Sequence, residues 1–250
     1  MIHRRALLAA GLAMTAAPAL AQSGAGDAQV GATGRFKARP GQPTQPPLPP
    51  GLHTLGLDRR DAHLFVPEGL SPTTPAPLIV MFHGKGQLAH ETLGEWRRTA
   101  ARNKVLVMAP QSRGMTWVVD NGPIGPDAQF IDRALAAVFD RFAVNPARIA
   151  AAGFSDGGTM ALSSGMVNGD LFSHILTFAP IRFNAPGFVG QPKIFISNGE
   201  SDPGASYANA RAMARQLQGD GYDVEFHGFK GGHHIDEDAV KRAMRRFLGS

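Results

Sequence analysis

The chain has 250 residues, of which 43% are hydrophobic and 18% charged, and this suits one globular domain with its own core, or one domain plus a short appendage. Its formal net charge of +5 falls to +3 without Arg4 and Arg5, and so small and scattered an excess does not indicate nucleic-acid binding. The absence of cysteine excludes disulfides, a thiol nucleophile and cysteine-ligated metals.

Residues 1–21 have the pattern of an export signal. Arg4 and Arg5 precede an apolar run of small residues, which ends in Ala19-Leu20-Ala21 and resembles a signal-peptidase site. The paired arginines resemble a twin-arginine signal. A membrane anchor is the alternative, but the run is short and alanine-rich for a span of about 20 strongly apolar residues. We therefore expect cleavage after Ala21, no stable membrane insertion afterwards, and a periplasmic or secreted protein.

Residues 22–50 are rich in Gly, Pro, Gln and Ala and end in a proline-rich stretch. This composition predicts an extended or disordered linker that builds no core, with at most a short pairing segment near Arg35-Phe36-Lys37. The folded domain is then expected to span residues 51–250.

From Gly51 onward, apolar runs alternate with segments of helical spacing. Two antiparallel edge strands are expected at 52–57 and 62–67, and continuous apolar runs predict buried strands at 78–82, 105–110, 148–153, 175–180 and 193–197. An outer strand is expected at 224–228. Helices are expected over 90–103, from an N-cap at Asp127 through Phe142, directly after Ser155, over 207–217, and after an N-cap at Asp236. Such alternation predicts an α/β fold with a mostly parallel sheet flanked by helices.

The stretch around Ser155 has the pattern of a nucleophile elbow. Gly153-Phe154-Ser155-Asp156-Gly157 reads G-x-S-x-G, between a predicted strand and small residues that can start a helix. Side chains at 153 or 157 would collide with the neighbouring strand and helix, and the serine would have a strained backbone conformation. A turn of small residues that merely contains serine is the alternative that the motif alone leaves open.

Candidate partners of Ser155 follow later strands in the chain order Ser, Asp, His that α/β-hydrolases have. Asp202 comes shortly after the strand at 193–197, and His233 follows the outer strand. Active residues of open α/β sheets collect at the carboxyl ends of strands. The imidazole of His233 would take the proton of the serine hydroxyl, and the Asp202 carboxylate would orient the imidazole.

Both partners have rivals. His234 competes with His233, but the glycines before His233 suit a loop that must reach the serine, and His234 is expected at the surface. Asp202 competes with Glu200, which lies close to the end of its strand. It also competes with two acids that precede a strand, at the wrong end of the sheet, Asp220 and Asp223. A metal site at 233–236 is not expected, because adjacent histidines cannot easily share one ion.

Two backbone N–H groups are expected to stabilise the oxyanion. One belongs to Asp156, directly after the nucleophile, and the other to Lys85, in the loop after the first parallel strand. His83 and Gly84 lie in the same loop, where His83 is expected to orient the loop rather than act as a base. Lys85-Gly86 lacks the spacing of a phosphate-binding loop, so no nucleotide or other cofactor is expected.

From about Gly51 to the C terminus, the chain resembles α/β-hydrolases of the carboxylesterase/phospholipase group. It is similar to exported esterases related to polyhydroxybutyrate depolymerases and feruloyl esterases, and the resemblance rests on residues 77–84, 150–158, 198–202 and 231–233. It implies a Ser155/Asp202/His233 triad and ester hydrolysis through an acyl-enzyme. Two residues depart from the group, since Asn198 replaces a frequent histidine and Lys85 a small or apolar residue.

The short segment at 180–192, the usual place for a lid insertion, predicts no sizeable lid domain and an open site. The expected substrates are small or polymeric esters with short acyl chains. Trp117 is expected either to line the mouth of the site or to be a buried anchor. Two other functions remain open, a serine peptidase or thioesterase on the same scaffold and a non-catalytic binding protein.

Overall fold

A computed structural model describes residues 28–71, 74–117 and 122–249 of the chain. In these residues the strands are β1 (Gly51–Thr54), β2 (Ala62–Val66), β3 (Ala76–Phe82), β4 (Leu106–Pro110), β5 (Val144–Phe154), β6 (His174–Phe178), β7 (Lys193–Gly199) and β8 (Val224–Phe229). They form one sheet in the order β1-β2-β4-β3-β5-β6-β7-β8. Strands β3 to β8 pair in parallel, whereas β1 and β2 form an antiparallel edge.

The helices cover both faces of the sheet. They are α1 (Ala89–Asn103), α2 (Pro126–Phe139), α3 (Asp156–Val167), α4 (Tyr207–Gly219) and α5 (Glu237–Leu248). Successive side chains of a strand point to opposite faces, so Leu78 and Val80 of β3 pack with α2 and α3, whereas Ile79 and Met81 pack with α1 and α5. Helix α4 packs beside α3 over β6 and β7. The predicted mostly parallel α/β sheet is therefore confirmed.

The two predicted helix caps have different outcomes. The carboxylate of Asp236 accepts a hydrogen bond from the N–H of Ala239 at 2.9 Å, as expected for an N-cap. The prediction for Asp127 is wrong. Pro126 takes the first helical position, after Gly125 with φ 82°, and the buried Asp127 carboxylate instead accepts from the backbone N–H of Arg113.

The prediction that residues 22–50 build no core is wrong for the part that the structure describes, residues 28–50, which we call the N-terminal strap. Residues 28–33 are helical, and Val30 and Phe36 are buried in the main core cluster. The ring of Phe36 meets that of Phe172 edge-on at 6.1 Å between centroids. Its backbone N–H donates to the Asn168 side chain, which donates in turn to the carbonyl of Gly34. Two apolar side chains thus dock a segment whose average composition is that of a linker.

The predicted export signal at residues 1–21 lies outside the described residues. Within the described part of the chain, each helix is too short or too polar to span a bilayer.

Replacement of Phe36 by alanine tests whether the strap belongs to the folded domain. We expect Phe36→Ala to lower the free energy of unfolding by about 3–5 kcal/mol, because it removes a fully buried aromatic side chain and leaves a cavity. Phe188→Ala is the matched control, since Phe188 is 47% exposed and its loss should cost less than about 1 kcal/mol. Urea unfolding measures both variants. An equal loss of unfolding free energy in Phe36→Ala and Phe188→Ala would mean that the strap does not contribute to the core.

Buried His174 predicts a specific loss of stability in acid. Burial, with help from the nearby cations Arg148 and Lys193, lowers its pKa from 6.5 to about 4. Between pH 6.5 and pH 4, His174 is therefore protonated in the unfolded chain but stays neutral in the folded chain. We expect the free energy of unfolding to fall by up to about 3 kcal/mol between pH 6.5 and pH 4 from this group.

Urea unfolding across this pH range, with His174→Gln beside wild type, measures the effect. The variant should lose this part of the pH dependence, whereas His234→Gln, at an exposed histidine, should keep it. An unchanged slope in His174→Gln would contradict the prediction.

Candidate active site

Ser155 lies on the turn between the last residue of β5 and the first residue of α3. Its φ of 56° and ψ of −122° are rare for a residue with a side chain. Its N–H donates to the carbonyl of Phe178 at 2.9 Å, which ties the turn to β6. A Cβ on Gly153 would overlap the backbone of Gly157, and one on Gly157 would overlap the carbonyls that end β3. The predicted close approach of the strands and the helix at Gly153 and Gly157 is confirmed.

The structure brings Ser155, His233 and Asp202 into one hydrogen-bonded chain. His233 Nε2 lies 2.9 Å from Ser155 Oγ, and His233 Nδ1 lies 2.7 Å from Asp202 Oδ2. The carboxylate cannot donate when ionised, so Nδ1 carries the proton and Nε2 is left to accept from the serine hydroxyl. The arrangement is that of a nucleophile, a general base and a carboxylate that orients the base.

The Asp202 side chain is buried and fully hydrogen-bonded. Burial favours its neutral form, but hydrogen bonds from the backbone N–H of Ala205, from His233 and from the N–H of Gly204 outweigh this and hold the pKa of Asp202 below its usual value. The carboxyl is therefore ionised at neutral pH.

The loops of Asp202 and His233 are joined to each other. The N–H groups of Glu200 and Ser201 donate to the carbonyls of Phe229 and Gly231, both at 2.9 Å. The Phe154 ring lies 4.7 Å from the His233 ring and limits the movement of the imidazole. Both groups are thus positioned by packing as well as by their mutual hydrogen bond.

The rival residues lie outside this chain of hydrogen bonds. His234 is exposed, with its ring edge-on to Phe229 at 5.0 Å, and Glu200 is exposed. Asp223 pairs with Arg246 at 2.7 Å, and Asp220 is exposed at the end of α4. In the described residues, no three His, Asp or Glu side chains lie close enough together to hold a metal ion.

His83 is buried below the loop that follows β3. Its Nε2 accepts from the backbone N–H of Ser112 at 3.1 Å, so Nδ1 carries the proton and donates to the carbonyl of Gly84 at 2.8 Å. Burial lowers the pKa of His83, which keeps the ring neutral. Trp117 donates from Nε1 to the His83 carbonyl at 2.8 Å and is itself buried, so it is an anchor rather than part of the mouth.

These contacts leave Lys85 as the candidate donor of its loop. The N–H of Gly84 donates to the Gln87 side chain at 2.8 Å, and that of Gly86 donates to the carbonyl of Met115 at 2.9 Å. The N–H of Lys85 lies between these two bonded groups. The loop packs directly on the elbow through Gly157, and the N–H of Asp156 is in the first turn of α3, where helical N–H groups have no partner within the helix.

Sequence reasoning considered Trp117 but missed the contacts that residues 111–116 make with the site, although they follow the carboxyl end of β4. Gln111 and Ser112 both hydrogen-bond His83, and Thr116 Oγ1 donates to Asp156 Oδ2 at 2.6 Å. The polar pair Gln111-Ser112 directly after a buried strand was a signal that could have found the loop.

The sequence model of the Esterase family matches residues 57–220, well over half of the chain. The chain belongs to the Esterase family. The matched range includes Ser155 and Asp202, whereas His233 lies beyond it. A search of curated protein sequences gives no match.

Solved structures share the fold of this esterase. Esterase PE8 is 21% identical with a TM-score of 0.58, covering 74% of this chain and 98% of PE8. The fluorophosphonate-binding serine hydrolase FphF of Staphylococcus aureus is 17% identical with a TM-score of 0.65, covering 81% and 100%. An S-formylglutathione hydrolase from Agrobacterium tumefaciens is 16% identical with a TM-score of 0.55, covering 80% and 92%.

The expected α/β-hydrolase fold and the expected carboxylic ester hydrolase are both confirmed by these comparisons. Similarity to polyhydroxybutyrate depolymerases and feruloyl esterases stays a prediction. In the esterase, residues 179–192 between β6 and β7 form no helix, so no large lid is present among the described residues.

Replacement of Gly157 by alanine should disrupt the elbow. The added Cβ would overlap the carbonyls of Phe82 and His83, so we expect a loss of more than about 2 kcal/mol in unfolding free energy. Gly94→Ala is the matched control, because Gly94 lies inside α1 with open space around it and alanine should stabilise the helix by about 0.5–1 kcal/mol. Denaturant unfolding and ester hydrolysis measure both variants. A Gly157→Ala variant of normal stability and activity would contradict the close approach.

Proposed function

We propose that this esterase is an exported serine hydrolase that cleaves short carboxylic esters through an acyl-enzyme on Ser155. The observation that carries the proposal is the continuous hydrogen-bonded chain from Ser155 Oγ through His233 to Asp202. Export is supported by the pattern of residues 1–21, with cleavage after Ala21 and a periplasmic or secreted location.

The first half-reaction forms the acyl-enzyme. His233 Nε2 takes the proton from the hydroxyl of Ser155 as Oγ attacks the carbonyl carbon of the ester. The carbonyl oxygen becomes an oxyanion, which the N–H groups of Lys85 and Asp156 stabilise, with support from the positive end of α3. The tetrahedral intermediate then collapses, the bond to the alkoxy group breaks, and the imidazolium returns the proton to the leaving alcohol.

The second half-reaction releases the acid. A water molecule takes the place of the alcohol, His233 accepts one of its protons, and the hydroxide attacks the acyl carbon. Collapse of the second intermediate returns the proton to Ser155 Oγ. In both halves the ionised Asp202 keeps the proton of Nδ1 in place and stabilises the transient imidazolium.

An open site supports small or accessible substrates. Ser155, Asp156 and His233 are all partly exposed, and Met115, on the neighbouring loop, is 70% exposed. Since residues 28–71, 74–117 and 122–249 include no helical lid, they offer little surface to hold a long acyl chain. We therefore propose esters of short acids, aryl esters and the accessible ends of polyesters as the substrate class.

Thioester hydrolysis is a second candidate. The structural neighbour from Agrobacterium tumefaciens is an S-formylglutathione hydrolase, and S-formylglutathione is a thioester. The same triad chemistry can hydrolyse oxygen esters and thioesters. A thiolate leaves the tetrahedral intermediate more readily than an alkoxide does. Comparison of matched oxygen and thiol esters of acetic acid distinguishes the two preferences.

A fluorophosphonate labelling experiment tests the nucleophile. We expect one adduct per chain on Ser155, located by mass spectrometry, and no adduct in Ser155→Ala, because only a serine activated by its imidazole attacks phosphorus at neutral pH. The variant should lose at least about 1,000-fold in kcat on 4-nitrophenyl acetate. Protein collected outside the cytoplasm should have the intact mass of a chain that begins at Gln22.

Ser71→Ala, at a surface serine of the loop between β2 and β3, is the matched control and should label and hydrolyse like wild type. Absence of an adduct on folded wild-type protein would overturn the proposed nucleophile and favour a binding protein. Activity that falls steadily from hexanoate to acetate esters would overturn the preference for short acyl chains.

A further inference from the structure

The loop at residues 111–117 holds the strand-β3 side of the proposed oxyanion hole through several hydrogen bonds. Ser112 donates its N–H to His83 Nε2 at 3.1 Å, and Trp117 donates from Nε1 to the His83 carbonyl at 2.8 Å. The carbonyl of Met115 accepts from the N–H of Gly86 at 2.9 Å. Lys85, the candidate oxyanion donor, is thus enclosed between two residues that this loop anchors.

The same loop reaches the other half of the oxyanion hole through one side chain. Thr116 Oγ1 donates to Asp156 Oδ2 at 2.6 Å. Within residues 28–71, 74–117 and 122–249, no other side chain or backbone group hydrogen-bonds this carboxylate. Its position therefore depends on Thr116.

Because Asp156 is negatively charged, the position of its carboxylate affects the stability of a nearby oxyanion. Asp156 directly follows the nucleophile, and its own N–H is the proposed oxyanion donor. The carboxylate of a residue next to the nucleophile would repel a developing oxyanion, and more strongly at shorter distance. The hydroxyl of Thr116 binds the carboxylate on the side of the 111–117 loop and partly satisfies its charge.

We propose that Thr116 is a positioning residue, which fixes the Asp156 carboxylate and partly satisfies its charge, and so preserves the stabilisation given by the two N–H groups. The inference rests on the proposed serine esterase function. It concerns catalysis rather than binding, because the repulsion exists only while the carbonyl oxygen carries negative charge.

Kinetics of Thr116→Val on 4-nitrophenyl acetate give the first test. Valine keeps the shape of threonine but cannot donate, so we expect kcat to fall about 10-fold, while KM changes less than about 2-fold. The rate of labelling by a fluorophosphonate should fall by a similar factor, because the phosphonyl oxygen enters the same hole. Thr116→Ser keeps the hydroxyl and should restore most of kcat.

Thr54→Val is the matched control, since Thr54 is exposed on the edge strand β1 and should leave kcat unchanged. Thermal unfolding of each variant separates loss of fold from loss of catalysis. A wild-type kcat in folded Thr116→Val would overturn the inference.

A double-mutant cycle with Asp156→Asn distinguishes two roles of Thr116. It either compensates the charge of the Asp156 carboxylate or only anchors the 111–117 loop to α3. Asparagine keeps the backbone N–H and an oxygen that accepts from Thr116, but it carries no charge. If Thr116 controls the charge, Thr116→Val should cost less than about 2-fold in kcat when added to Asp156→Asn.

An equal, roughly 10-fold loss in both backgrounds would overturn the inference, because fastening of the loop would then explain the whole effect. Failure of wild-type protein to form the Ser155 adduct would overturn the proposed function, and this inference with it. A labelled and active wild type whose cycle shows no coupling would overturn only the role of Thr116.

Discussion

The close approach of β5, β3 and α3 at the elbow is the constraint on which the site depends. Ser155 has a positive φ that costs about 1–3 kcal/mol for a residue with a side chain. The surrounding structure imposes it, because β5 pairs in parallel with β3 and β6 on its two sides, and the N–H of Ser155 donates across to Phe178. Only glycine at 153 and 157 lets the helix begin this close to the strands. The strain presents the hydroxyl at the carboxyl edge of the sheet.

Electrostatics at the site follow from which groups are buried and which are hydrogen-bonded. Asp202 is buried but stays charged because its oxygens accept from two backbone N–H groups and from His233. His83 is also buried, and it stays neutral because burial opposes protonation and a backbone N–H already occupies Nε2. Asp202 thus supplies a fixed negative charge to the imidazole, while His83 supports the loop of Lys85, the proposed oxyanion donor, without adding charge beside it.

The sequence predicted the parts of the site that local patterns and parallel-sheet geometry determine. Ser155 was visible from its glycines, and Asp202 and His233 from their places after strands whose carboxyl ends meet at one edge. The contact between Thr116 and Asp156 joins residues 40 apart, and no local pattern records such a pair. Asp127 was wrongly predicted as an N-cap because Pro126 competes for the start of α2. The segment around Phe36 was considered only for strand pairing, and its burial was missed because one apolar residue hardly changes the composition of a proline-rich segment.

The N-terminal strap matters to the candidate site because it holds the far end of α3, the helix that follows Ser155. Asn168, just past the last residue of α3, exchanges hydrogen bonds with the backbone of Gly34 and Phe36. Arg35 donates to the carbonyl of Val167, where the helix leaves its own carbonyls without partners and favours positive charge. Helix α3 is therefore fixed at its N terminus by Gly157 packing on the β3 carbonyls and at its C terminus by the strap. The N–H group of Asp156 in its first turn, which we propose as an oxyanion donor, is therefore part of a helix that is held at both ends, as a preorganised donor requires.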